Sequence, residues 1–386
     1  MANEIYFDNS ATTKPSQAVV DIVVRTMTED YGNPSSMHTK GVEAEAYVRE
    51  SAKIIAGILK VSEKEICFTS GGTEANNHAV FGTAYANQRR GKRIVTTPLE
   101  HAAVSEPMRI LKKNGFDVQI VPVNAYGMPD LSALRELINE DTILVSAMYV
   151  NNEIGACLPV ADMAKIVHEN APYALFHVDA VQAFGKYRIY PRQAGIDLLS
   201  VSGHKFHGPK GVGFLYIRGD AHIVPYIYGG GQQGGMRSGT DNVPGIAGIG
   251  VAAREAYENF DEKIAYIRTL RERLLDGIAS IDGAVIHGLP GEEGAPHIVN
   301  AAFTGVRSEV LLHALEERGI YISAGSACSS HKKTASPTLL AIGCGKKEAE
   351  SSVRFSLCET NRVEEVDEAV RVLREMVPLL ARYRAR

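Results

Sequence analysis

From about Ser62 to Ile217 the chain alternates short apolar runs with stretches of helical character. Seven runs read as strands: Glu65–Ser70, Arg93–Thr97, Val118–Val123, Thr142–Val150, Leu175–Asp179, Leu198–Ser202 and Gly213–Ile217. They are rich in Ile, Val, Leu and Phe without strict alternation, the pattern of strands covered on both faces. Helical stretches fall between several of them, at Glu74–Gln88, His101–Asn114 and Val160–Asn170. This alternation predicts an α/β fold with a mainly parallel, seven-stranded sheet between helices.

The last third reads differently. Ser308–Arg318 places Leu311, Ala314 and Leu315 on one helical face, with Gly319 as a C-cap. Val363, Val366, Val370, Leu373 and Val377 recur at spacings of three and four, so the C-terminus reads as an amphipathic helix. Shorter strands are expected at Ala284–His287, His297–Phe303 and Val353–Leu357. The expectation is a large domain over 13–255 and a smaller α+β domain over 256–386, with residues 1–12 packing on the smaller one. The run Gly229–Gly239 is too short and abrupt for a linker and reads as backbone that approaches something closely.

Composition removes several classes of function. With 45% hydrophobic and 22% charged residues, the 386-residue chain can bury a sizeable core. A net charge of −4 offers no basic surplus for a nucleic-acid backbone or an anionic membrane. The five cysteines contain no C-x-x-C pair, so neither a disulfide framework nor a metal site is expected. The first residues lack a basic-then-apolar signal pattern, and the longest apolar stretches fall well short of the ~20 residues of a membrane span. A cytoplasmic location follows as an expectation.

Three segments carry chemistry. Ser200-Val201-Ser202-Gly203-His204-Lys205 leaves a buried strand, where open α/β sheets place ligands. A lysine there can form a Schiff base once its amine is desolvated or set near a cation. Phe176-His177-Val178-Asp179 ends a second strand on a carboxylate that needs a partner, either a helix N-terminus or a pyridinium nitrogen. In Thr69-Ser70-Gly71-Gly72-Thr73-Glu74 a strand runs through two glycines into a helix, exposing amides and a hydroxyl as a phosphate cradle. P-loop and dinucleotide fingerprints are both missing. A lysine for an aldehyde, a carboxylate for a ring nitrogen and a cradle for a phosphate are together the needs of pyridoxal 5′-phosphate.

On these and further motifs the chain resembles the class V aminotransferases of pyridoxal-phosphate fold type I, and closely the NifS/IscS-type cysteine desulfurases. The motifs include Asp8-Asn9-Ser10-Ala11-Thr12-Thr13, Glu100-His101, Asn151-Asn152-Glu153, Arg237-Ser238-Gly239-Thr240, Ser326-Ala327-Cys328-Ser329 and Arg354-Phe355-Ser356-Leu357. The resemblance implies that Lys205 holds the cofactor and shuttles the substrate's α-proton, while Asp179 pairs with the ring nitrogen. Asn152 and Gln182 are implied at the phenolic oxygen. His101 is implied on the ring face, with a share in proton transfer. Gly72, Thr73, Ser202 and His204 are implied at the phosphate, joined by Thr240 from a neighbouring subunit of a homodimer. Arg354, helped by Asn152, is the implied clamp for the carboxylate of L-cysteine. Each has a plainer reading: His101 as a helix cap, Asn152 and Gln182 as turn residues, and Arg354 paired with an acid.

Cys328 separates desulfuration from transamination. It lies in a run of small residues followed by His331, Lys332 and Lys333, which predicts an exposed thiol with cations that favour its reactive thiolate. Cys67 and Cys157 read as core residues. The implied reaction converts L-cysteine to L-alanine, with sulfur held as a persulfide on Cys328 for a sulfur acceptor or iron–sulfur scaffold protein. Selenocysteine lyase and aminotransferase are the alternatives on the same scaffold. The chain departs from the family pattern after Leu357, where Cys358-Glu359-Thr360-Asn361 replaces the usual glycine. Cys358 reads either as a second sulfur-relay thiol or as a buried core cysteine.

Overall fold

The computed structural model describes residues 4–324 and 335–384. A two-residue strand β1 (Ile5–Tyr6) and two helices, α1 (Gln17–Thr28) and α2 (Thr39–Leu59), come first. The alternating region follows as β2 (Ile66–Thr69), α3 (Gly72–Asn87), β3 (Arg93–Thr96), α4 (Ala102–Lys113), β4 (Asp117–Ile120), β5 (Thr142–Met148), β6 (Leu175–Asp179), β7 (Leu198–Ser202) and β8 (Gly213–Ile217). The seven apolar runs form one sheet of order β2-β8-β7-β6-β5-β3-β4. All neighbours are parallel except at β8, which runs against both β7 and β2. Strands β2, β5, β6 and β7 are buried at every position, which is why their sequences show unbroken apolar runs.

Register sets up the site. Met148 at the end of β5 lies beside Asp179 at the end of β6, and Asp179 lies beside Ser200 of β7. The carboxyl ends of three adjacent strands therefore open at one edge, the place where open α/β sheets take ligands.

The later strands are β9 (Ala284–His287), β10 (Ile298–Phe303), β11 (Ile320–Tyr321), β12 (Ser323–Ala324) and β13 (Ser352–Ser356). They build an antiparallel sheet β12-β13-β10-β9, while β1 pairs in parallel with β11. Ile5 and Phe7 are buried with Phe303, Phe355 and Leu373 in an apolar cluster separate from that of the large sheet. The C-terminal helix runs over Val363–Arg384.

Several details differ from the sequence pattern. Helices α1, α2, Val243–Tyr257 and Phe260–Ala279 carry no expected counterpart. The helix expected over Ser308–Arg318 stops at Glu316 with its cap at Glu317, and Gly319, at φ 76°, turns the chain two residues later. The glycine run covers the edge of the large sheet, where Phe68 N–H donates to Gln233 Oε1 at 3.0 Å. Among the described residues no helix is long and apolar enough to cross a membrane.

Candidate active site

A cavity of about 340 Å³ opens at the strand ends. Lys205 enters it from the single turn Gly203–Lys205 that follows β7. The Lys205 Nζ donates to the carbonyl of Ser10 at 2.7 Å and to that of Ala11 at 2.9 Å. The N-terminal segment thus holds the amine in place. Asp179, buried at the end of β6, accepts from Asn76 Nδ2 at 2.7 Å and from the Val181 N–H at 3.0 Å. Burial pushes its carboxyl above the usual range, against the pull of the Val181 amide and of nearby His101.

His101 both lines the cavity and caps α4, its Nδ1 accepting from Ala103 N–H at 3.1 Å. The plainer reading of this residue is therefore realised alongside its place in the site. With Nδ1 as acceptor, the neutral ring carries its proton on Nε2. Ahead of it, Glu100 is half-buried with its carboxylate turned inward: its Oε1 accepts from Thr97 Oγ1 at 2.7 Å and from Met148 N–H at 2.9 Å, while the shielded Oε2 has no partner. Burial, reinforced by Asp179, pushes Glu100 up to about 8.

Gly72 and Thr73 open α3, whose N-terminus has no side-chain cap, so its first amides face the cavity edge. Gly72 tolerates no side chain, since an added Cβ would stand 2.7 Å from Val181 Cγ2. Ser202 and His204 line the same end. Burial, aided by Lys205 and Lys210, lowers His204 to about 4, so its imidazole is neutral.

Arg354 reaches the cavity from β13 of the second sheet. Its Nη1 donates to the Asn152 carbonyl and its Nη2 to Asp8 Oδ1, both at 2.8 Å, while the buried Nε lacks a partner. The pairing with an acid is realised here too, with the guanidinium still lining the site. Asn152 and Gln182 also line the cavity; Gln182 Nε2 donates to the Ser10 carbonyl at 3.0 Å. Thr240 is exposed and does not line the cavity, and Cys328 lies outside the described residues.

These residues fit pyridoxal phosphate. The buried Asp179 calls for a cationic neighbour, the α3 N-terminus beside a glycine suits a phosphate, and two buried polar atoms of lining residues, Ser10 Oγ and Asn76 Oδ1, lack partners. Sequence reasoning assigned no role to Ser10, Ala11, Asn76 or Asp8. Asn76 sits one turn inside α3 from the glycine pair, so its face was the available signal.

The model of the aminotransferase class-V family matches residues 5–369. The chain is 42% identical to the cysteine desulfurase IscS of Methanosarcina thermophila, covering 97% of this chain and 92% of the relative. It is 38% identical to cysteine desulfurase IscS 1 of Archaeoglobus fulgidus, covering 98% of this chain and 100% of the relative. A solved structure of a NifS-like protein superposes with a TM-score of 0.92 at 39% identity, covering 98% of this chain and 100% of that one.

Proposed function

The chain belongs to the class-V aminotransferases and, among them, to the cysteine desulfurases, and we propose that L-cysteine is processed in the cavity shared by Lys205, Asp179 and Arg354. It is a pyridoxal-phosphate enzyme that takes L-cysteine to L-alanine and passes the sulfur on. A selenocysteine lyase or plain aminotransferase is not favoured beside relatives of this kind.

Bound at this site, the cofactor supplies an electron sink for charge developing at the substrate's α-carbon. Asp179 would hold a cationic ring nitrogen, a contact that would favour the ionised carboxylate which burial alone opposes. Gly72, Thr73, Ser202 and His204 hold the phosphate. Arg354, released from Asp8, clamps the substrate carboxylate through its planar fork. Lys205 Nζ takes the α-proton, and the Ser10 and Ala11 carbonyls aim it. His101, at the cavity wall, would offer its Nε2 proton to the bound substrate or cofactor. The Cys328 thiolate attacks the substrate's sulfur; an S–S bond forms as the C–S bond breaks, and the freed carbon takes up a proton to leave as alanine.

The joint placement of Lys205, Asp179 and Arg354 around one cavity carries this reading. Purified protein given L-cysteine and a reductant should release sulfide and alanine in equal amounts. C328S should keep the cofactor's absorbance and release no sulfide; sustained sulfide from it would overturn the assignment of the acceptor thiol.

Exposed apolar side chains support a homodimer. Val20, Val24 and Met27 form a stripe on α1, and Met37 and Tyr228 stand 95% and 75% exposed. The apolar cluster that joins Ile5 and Phe7 to the second sheet supports domains over 13–255 and 256–386 with residues 1–12 on the second, while Ala295, Ile298, Leu339, Ile342 and Ala349 of the second pack against the core of the large sheet. The four described cysteines are free thiols, in keeping with a cytoplasmic enzyme. The acceptor is proposed to be a sulfur-carrier or iron–sulfur scaffold protein.

A further inference from the structure

Outside the cavity of Lys205, the turn that carries this lysine continues to His207, which meets the segment leaving β13 at Cys358 and Glu359. His207 is held at φ 66°, in the left-handed region that few residues other than glycine enter, and its N–H donates to Thr13 Oγ1 at 2.7 Å. Its Nδ1 lies 2.8 Å from the carbonyl of Lys14. A carbonyl only accepts, so Nδ1 carries the proton and a neutral ring leaves its lone pair on Nε2. That nitrogen pairs with Glu359 Oε2 at 3.5 Å, and neither buried atom is closed off by a tighter hydrogen bond. Cys358 Sγ completes the group, and the three atoms lie within 4.8 Å of one another. Cys358 is only 2% exposed.

We propose that Cys358 Sγ, His207 Nε2 and the Glu359 carboxylate form a binding site for a divalent transition-metal ion, zinc above the others. A thiolate, an imidazole and a carboxylate are zinc's usual donors, and around a tetrahedral ion they stand about 3.3–3.8 Å apart. From its outer limit of 4.8 Å the cluster needs a contraction of at most about 1.0–1.5 Å to reach that spacing. The Nδ1–H bond to a backbone carbonyl is the outer contact that orients most metal-bound histidines. His207 and Glu359 also line a cavity of about 870 Å³, which supplies an entry path and a fourth, open position for water. Binding displaces the thiol proton to solvent. An ion here would tie the turn carrying Lys205 to the strand carrying Arg354.

A second group of the same residue types serves as an internal control. In His287, Cys344 and Glu348 both ring nitrogens are already engaged, Nδ1 with Asn300 Oδ1 at 2.7 Å and Nε2 with Glu348 Oε1 at 2.8 Å. Its imidazole therefore has no nitrogen left for an ion.

The test is zinc titration of chelator-treated holoenzyme in a C328S background, which removes the reactive thiol as a competing ligand. Calorimetry and metal analysis should find one zinc per chain, retained in C344A. C358A and E359Q should weaken binding by about 100-fold or more. Cobalt should give a thiolate charge-transfer band, read as a difference spectrum, that C358A lacks and E359Q shifts. Cofactor absorbance and circular dichroism confirm folding, and E359Q carries the test if C358A does not fold. Absence of stoichiometric zinc, or equal binding by C358A or E359Q and the parent, overturns the proposal.

Discussion

The active-site cavity has two parts built on different principles. The part on the large sheet is fixed by the sheet itself: Asp179, Ser202 and Lys205 follow directly from buried strands, and their partners are Asn76, a backbone amide and backbone carbonyls. Below them His177, on β6, bridges Ser146 of β5 at 2.8 Å and Ser200 of β7 at 2.9 Å, and burial lowers it to about 3. The other part is assembled from a distance. Arg354 comes from the second sheet, and it is held by Asp8 and by the Asn152 carbonyl. The first part is set before any ligand arrives, whereas the second must give up the Asp8 ion pair to take a carboxylate. A holder of the cofactor belongs on the rigid part and a gripper of the transient substrate on the exchangeable one.

Substitutions should separate the two parts. D179A should lose cofactor retention, read by absorbance after dialysis, and lower kcat by about 1,000-fold. R354Q should keep the cofactor and raise KM for L-cysteine by roughly 10–100-fold, the worth of a charge-assisted, two-point contact. If R354Q lost the cofactor as D179A does, the division would fail. The smallest effect concerns Glu100. Its carboxyl, raised from 4.5 to about 8, keeps a proton in the folded state that the unfolded chain gives up. Folding stability should therefore fall as pH rises through that window, by at most about 1.4 kcal/mol per pH unit. Urea unfolding between pH 5 and 8 reads this slope, and E100Q should flatten it.

Legibility in the sequence followed the same division. The central strands of the large sheet were plain because they are buried on both faces, and Lys205 and Asp179 were plain because they close such runs. The helix Val243–Tyr257 was not. Its Gly245, Gly248 and Gly250 lower helix propensity, yet a Cβ on Gly250 would come 2.4 Å from Ser51 Oγ and one on Gly248 2.5 Å from Pro209 Cγ. Close packing overrides local preference there. Strands β1 and β11, two residues each, are too short to show a period. The hold of Ser10 and Ala11 on Lys205 runs through backbone carbonyls, which no side-chain motif reports. Cys358 stood out only as a departure from pattern, because its companion His207 is remote along the chain.

The N-terminal segment has a consequence for the order of assembly. Strand β1 pairs with β11, Ser10 N–H donates to Ser356 Oγ at 2.8 Å, and Thr13 N–H donates to the His204 carbonyl at 2.9 Å. A ribosome makes these residues long before their partners at 320 and 356 exist. This segment must wait, undocked, until the chain around 320 and 356 has been translated, and the amine on which turnover depends is aimed only once it has taken its seat.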